Sequence, residues 1–215
     1  MKLIDHDNIA YRRLWRASGG NRYNGAFYYS KEIVANIIPN IRTDRGWVTV
    51  NVPGRAFDHS IVFIHNNLNP GRYEWLKRFK DLVLVCGVPS TVDKVSHIGK
   101  AVYLPLSVDV AYVSQFARAK DRDTAFFGRK GKSKGHDFGD ADVVFGMKRE
   151  KMLPLMARYR RVYAVGRTAI EANVLGCEVL PYDGRFPDPS FWKVVDNGEA
   201  AAMLQKILDD LDGRR

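Results

Sequence analysis

The chain has 215 residues with 46% hydrophobic and 27% charged side chains, enough for one large domain or two small ones and unlike a disordered or fibrous composition. No run approaches the roughly 18 to 20 consecutive apolar residues of a membrane helix. The opening MKLIDHDNIAYRR lacks the apolar stretch of a secretory signal, so a cytoplasmic protein is expected. The net charge of +10 is unevenly spread: residues 1–107 hold 15 Lys and Arg against 8 Asp and Glu, and residues 108–215 hold 19 against 16. A basic front half calls for an anionic partner there, whether nucleic acid, a phosphorylated glycan carrier or a membrane surface. The same surplus also serves solubility.

In chain order, the first feature is Tyr11-Arg12-Arg13-Leu14-Trp15-Arg16, with Arg22-Tyr23 close behind. Aromatics among arginines stack on bases and meet phosphates; an amphipathic helix with snorkelling arginines has the same pattern. Gly19-Gly20 and Asn24-Gly25 form either a glycine loop at a ligand or a plain loop. A helix is predicted over 30–38, with Ser30 as cap, Ile33, Val34, Ile37 and Ile38 on one face, and Pro39 as its end. Strands are predicted at 47–52, 61–65, 82–87, 101–106, 124–128, 142–146, 161–165 and 178–182. Helices are predicted at 73–79, 90–98, 148–159, 168–175 and 200–211. Runs such as Ile61-Val62-Phe63-Ile64 and Leu82-Val83-Leu84-Val85 are apolar at every position, as strands are when helices cover both faces of a sheet.

Alternation of strand and helix predicts an α/β fold built on parallel sheets. The boundary falls between Leu106 and Asp123, giving an acceptor-side lobe over 1–107 and a ligand-binding lobe over 108–215, with the last helix returning to the first lobe. Residues 130–140, rich in Gly, Lys and Asp, are a long candidate loop with no element of their own. Met203, Leu204, Ile207, Leu208 and Leu211 form a core stripe on the last helix. Cys86 and Cys177 sit in or beside apolar runs without metal-ligand spacing and are expected as buried free thiols. There is no zinc-like cluster, no Walker loop and no serine elbow, and no metal is expected.

Two places carry chemistry. After the strand at 124–128 comes Gly128-Arg129-Lys130-Gly131-Lys132-Ser133-Lys134-Gly135, whose cations and glycines suit a diphosphate, or a solvated turn. After the strand at 161–165 comes Gly166, then a helix start that offers the amides of Thr168, Ala169 and Ile170 to a phosphate. Glu171 lies one turn in. A carboxylate there binds ribose hydroxyls, or pairs locally with Arg167 or Thr168. His65, at a strand's C-terminal end, is a candidate base or sugar contact as well as a structural histidine. Asp109 and Asp5 are further carboxylate candidates.

Three segments resemble the GT-B glycosyltransferases. Leu104-Pro105-Leu106-Ser107-Val108-Asp109 resembles the P-x-G-V-D that opens their C-terminal domain, with Ser107 in place of glycine. Phe126-Phe127-Gly128-Arg129 with Lys134-Gly135 resembles their F-x-G-R…K-G loop. Gly166-Arg167-Thr168-Ala169-Ile170-Glu171-Ala172, then Gly176-Cys177-Glu178-Val179-Leu180, resembles G-x-x-x-x-E-A…G-x-P-V-I. The likeness spans about 101–183.

This resemblance implies two Rossmann-like lobes facing a cleft, reduced in size. It implies transfer of a sugar from a nucleotide-sugar, UDP-linked by expectation, without a metal. Gly128, Arg129, Lys134, Gly166, Arg167 and Thr168 would hold the diphosphate, and Glu171 the ribose. The strand at 142–146 and the residues just after it would line the base. The acceptor would be a DNA base or another anionic acceptor at Arg12, Arg13, Trp15 and Arg16, with His65 and Asp109 as catalytic candidates. A second glutamate, common eight positions before the ribose-binding one, is Tyr163 here, which leaves the stereochemical class open. A non-catalytic nucleic-acid-binding protein and a sugar-nucleotide epimerase on the same fold remain alternatives.

Overall fold

A computed structural model describes residues 2–3, 25–45, 47–50, 56–64 and 70–213. His65, Asp5, Arg12, Arg13, Trp15, Arg16 and the pair Gly19-Gly20 lie outside the described residues. The protein is a mixed α/β structure with two parallel sheets, one of five strands and one of four. By its internal contacts the chain forms two units: Met1–Arg22, Ser30–Pro105 and Gly198–Arg215 in the first, Tyr23–Tyr29 and Leu106–Asn197 in the second.

In the first unit the strands are β1 (Lys2–Leu3), β2 (Trp47–Val50), β3 (Ser60–Ile64), β4 (Val83–Cys86) and β5 (Lys100–Tyr103), all parallel and in simple succession. Every residue of β3 and β4 is buried, as their unbroken apolar runs require. Val62, Ile64, Leu76, Leu84, Cys86 and Val95 form the core, fed by helix α2 (Pro89–Val95) and by a 3₁₀ helix, Pro70–Arg78. Cys86 and Cys177 are buried free thiols, and burial pushes the Cys86 thiol up to about 12.

Helix α1 (Gly25–Glu32) starts five residues before the predicted cap, so Ser30 is an interior helix residue, 1% exposed, and not a cap. The chain winds on through a π-turn, Ile33–Ile37, and a 3₁₀ turn, Ile38–Asn40, which carries Pro39. Ile33, Ile37 and Ile38 are buried as expected. Along the last helix, α7 (Asn197–Asp212), Ala200, Ala201, Leu204 and Leu208 are buried, whereas Met203 is exposed. Small residues thus take part of the packing face that the Met and Leu spacing suggested. The far end of α7 is tied down within its own unit by buried Arg45, whose Nη2 is 3.2 Å from Asp212 Oδ1 and whose Nη1 donates to Asp81 O at 2.9 Å.

The second unit contains β6 (Arg122–Gly128), β7 (Asp142–Phe145), β8 (Tyr159–Tyr163) and β9 (Glu178–Leu180), parallel and ordered β7-β6-β8-β9. Its helices are α3 (Val110–Ser114), α4 (Lys130–Ser133), α5 (Arg149–Met156) and α6 (Arg167–Val174). The chain leaves β6 for β7 on one side, then crosses back past β6 to β8 and goes on to β9. Right-handed crossovers therefore place α5 and α6 on one face and the β6–β7 connection on the other. The helix-covered face is closed by Ala125, Phe127, Val162 and Ala164, each at most 1% exposed. On the opposite face, Phe138 of the connection lies against Phe126 and Tyr163, with ring centroids 4.5 and 5.2 Å apart. Lys120 joins the two covering helices: its Nζ donates to Ala157 O at 2.9 Å and Leu175 O at 2.7 Å, the terminal carbonyls of α5 and α6.

Candidate nucleotide site

The order β7-β6-β8-β9 reverses direction between β6 and β8. At such a reversal the connections leave to opposite faces, and a crevice opens outside the carboxyl ends of the two strands. The two segments singled out in the sequence are the ones that leave these ends: Gly128-Arg129 after β6, and Gly166-Arg167-Thr168 after β8.

After β6, Gly128 meets a packing demand: a Cβ there would stand 2.4 Å from Phe126 Cζ in the buried aromatic cluster. Its hydrogen therefore makes room for a protein ring. Arg129 comes next, and partial desolvation alone lowers the pKa of its guanidinium. Its side chain, like that of Lys134, makes no hydrogen bond or ion pair among the described residues. The stretch after it is not wholly irregular, because 130–133 close one short helical turn, α4, with Ser133 Oγ donating to Lys130 O at 2.9 Å.

After β8, Gly166 caps α6 at φ 64°, ψ −141°, a conformation open essentially to glycine alone, and offers no capping side chain. A Cβ there would meet nothing within 4 Å, so the backbone angle and not crowding demands glycine. The amides of Ala169 and Ile170 bond back to Gly166 O at 3.0 and 3.2 Å. Of the three amides the sequence pointed to, that of Thr168 remains at the helix mouth.

Glu171 departs from expectation. It is 2% exposed, and its Oε1 accepts from Arg149 Nε at 2.8 Å and from Arg167 Nε at 3.1 Å. Arg149 and Arg167 are themselves 7% and 4% exposed. The local pairing with Arg167 weighed from the sequence is present, and the ribose role is set aside, because the carboxylate is committed to holding two guanidiniums in the interior. Arg167 is likewise a buried partner and not an open diphosphate ligand. Arg149 was not singled out in the sequence. Its guanidinium lies over the rings of Tyr112, at 5.0 Å, and Tyr28, at 5.6 Å, and its backbone amide donates to Tyr28 Oη at 3.4 Å. Burial raises the pKa of both phenols. Arg149 opens α5 as Arg167 opens α6, so Glu171 brings the starts of two helices together with a net charge of +1.

Asp109 is a helix cap: its Oδ1 accepts from Tyr112 N at 2.8 Å at the start of α3. That explains its place in the sequence without chemistry. Tyr163, standing where the family's second glutamate would be, ends β8 and turns its ring to Phe138. A second group escaped the sequence reading altogether. Asp183, three residues past β9, has a side chain 4% exposed and accepts from Arg185 Nη2 at 2.6 Å and Arg185 N at 3.0 Å, which holds its carboxyl at about 2. His136 Nε2 approaches the same carboxylate at 3.6 Å.

Near the N-terminal half of the sheet, the face under the β6–β7 connection carries an open depression of about 500 Å³, lined in part by Arg122, Thr124, Phe138, Asp142, Arg161 and Tyr163. Its arginines are already engaged, Arg122 with Asp142 and Tyr159 Oη, Arg161 with Asp123. Unlike the strand ends, it offers no unpaired cation. No cluster of His, Cys, Asp or Glu suited to a metal occurs among the described residues. None of their helices is long and apolar enough to cross a membrane. The α/β class thus rests on the fold itself, since no protein-family model matches the chain and a search of curated proteins found no match.

Proposed function

We propose that the second unit binds the diphosphate of a nucleotide-sugar at the carboxyl ends of β6 and β8, and that the chain is a compact glycosyltransferase of the GT-B type. The observation that carries this reading is the reversal between β6 and β8, with Arg129, a partly desolvated cation without a protein partner among the described residues, at its edge. Arg129 and Lys134 meet the diphosphate, and the Thr168 amide at the glycine-opened mouth of α6 meets one of its oxygens. Fixed cations then stabilise the charge that builds on the leaving diphosphate, the task a divalent metal performs elsewhere. Glu171 supports the site from behind, as the anchor of Arg149 and Arg167. The basic residues of the front half, Arg12, Arg13 and Arg16 with Trp15, take the acceptor, a DNA base or another anionic group.

Thermal unfolding with UDP, GDP and ADP tests this. A ligand at about 100 times its Kd stabilises by about 2.7 kcal/mol, several degrees in Tm for a chain of this size. One nucleoside diphosphate is expected to give that shift, and Arg129→Ala to abolish it while leaving the unliganded Tm within about a degree. If none of the three stabilises the protein and DNA does, with steep salt dependence, the chain is a nucleic-acid-binding protein instead.

A further inference from the structure

The four-stranded sheet ends at β7, which among the described residues pairs with β6 alone. An edge strand shows a row of backbone N–H and C=O groups sideways, and such rows pair with other chains unless charge, proline or a bulge blunts them. The β6–β7 register runs unbroken, and past Asp142 at its first position β7 is Val143, Val144 and Phe145. Val143 is 48% and Phe145 38% exposed. Of the six large apolar side chains exposed among the described residues, these two alone stand two apart on one strand, and so share a face. It is the face of the aromatic cluster: Val143 lies beside Phe126 in the register, and the Phe145 ring is 5.7 Å from that of Phe126.

The sequence around this strand complements its own reverse. Two antiparallel copies related by a two-fold axis keep each face of the sheet continuous only if opposed residues are both odd or both even in number. Two registers then centre on the strand, Val143 against itself or Val144 against itself. The first sets Asp142 against Val144 and Phe145 against Ala141. The second sets Val143 against Phe145 on both sides of the axis, Asp142 against Gly146, and exposed Asp140 against exposed Lys148, the residue before α5. In it apolar meets apolar, charge meets opposite charge, and no like charges face each other. Whichever alternate residues turn their amides outward, this register gives them partners: Val144 with Val144 if the even ones do, Val143 with Phe145 if the odd ones do.

We propose that β7 is a self-association edge, through which two copies of this chain pair antiparallel about Val144 and join two four-stranded sheets into one of eight strands. The pairing is separate from ligand binding and stands whether or not the ends of β6 and β8 take a nucleotide. A two-fold pairing occupies the edge it joins, so assembly stops at two copies. One short strand and one apolar strip make a small interface, and a dissociation constant on the order of 100 µM is expected.

The test is sedimentation of the full chain from about 1 µM to about 1 mM, a range that brackets the expected constant. The weight-average mass is expected to rise from 24.4 kDa towards twice that value and no further. Val143→Lys, at a position largely exposed in the single chain, is expected to weaken the dimer about ten-fold or more. Asp140→Lys is expected to weaken it about five-fold, and the added change Lys148→Asp to restore it, which only the register centred on Val144 explains. On air oxidation Val144→Cys is expected to give a covalent dimer. Val143→Cys, whose thiols would stand roughly 7–8 Å apart, is expected to give none. A chain that stays at 24.4 kDa up to about 1 mM, or that grows past two copies, overturns the proposal. So does a dimer as strong in Val143→Lys as in the wild type, or a covalent dimer from Val143→Cys in place of Val144→Cys. Should Val143→Lys fail to fold, the exchange at the two exposed charges carries the test, and an Asp140→Lys dimer of undiminished strength overturns it equally.

Discussion

Glu171 holds Arg149 and Arg167 in a place where neither guanidinium is open to bulk water. Removing one member of a buried ionic group costs more than the group contributes, because the charges left behind stay desolvated and lose a carboxylate partner. Glu171→Gln is therefore expected to lower stability by about 3–5 kcal/mol, read as a drop in the urea midpoint. A loss under about 1 kcal/mol would show that the two arginines find other acceptors. The sequence made Glu171 conspicuous, since it lies in the second turn of a helix that comes after a strand and a glycine. It gave no sign of Arg149, 22 residues away, because a buried arginine opening one helix reads like any surface arginine until a carboxylate from another helix closes on it. His136 and Asp183 were hidden for the same reason: they lie far apart along the chain, and only the strand order makes them neighbours.

At the scale of elements, all eight expected strands are present among the described residues, with ends within a few residues of those expected, and among those residues only β1, two residues long, went unforeseen. Doubly covered parallel strands are apolar at each position, and that signal survives without neighbours. Short turns carry none. Helices α3 and α4 and the 3₁₀ turn Pro189–Phe191 are three to five residues long, too short for a helical period to emerge. Helix starts were the other weak point. Ser30 looked like a cap because it precedes an isoleucine-rich face, yet α1 begins five residues earlier, at Gly25. Gly166, by contrast, is a start that the sequence located correctly. Its φ of 64° and ψ of −141° lie outside the backbone preferences of an L side chain, although space for a methyl exists. Gly166→Ala is expected to destabilise by about 1–3 kcal/mol through the backbone alone. It is also expected to weaken nucleoside diphosphate binding, as the mouth of α6 twists away from the crevice. Isothermal titration of the variant checks the second half, and unchanged affinity would detach α6 from the site.

For the whole molecule, each unit carries its own parallel sheet, but the two differ in strand order. Among the described strands of the first unit the order never reverses, so the fold itself opens no crevice at its strand ends. The second reverses once, between β6 and β8, and Arg129 and Lys134, which have no side-chain partner among the described residues, the glycine-capped helix and the His136–Asp183 pair all lie on the segments that leave those two strands and β9. A nucleoside diphosphate is thus expected at the ends of β6 and β8, and amide chemical shifts during titration with UDP, GDP or ADP test this location most directly. The expected result is that the largest changes fall on 128–134 and 166–168, while amides along the first sheet stay still. Changes centred on the first sheet, or on the Arg122 and Arg161 depression with the strand ends unmoved, would contradict it.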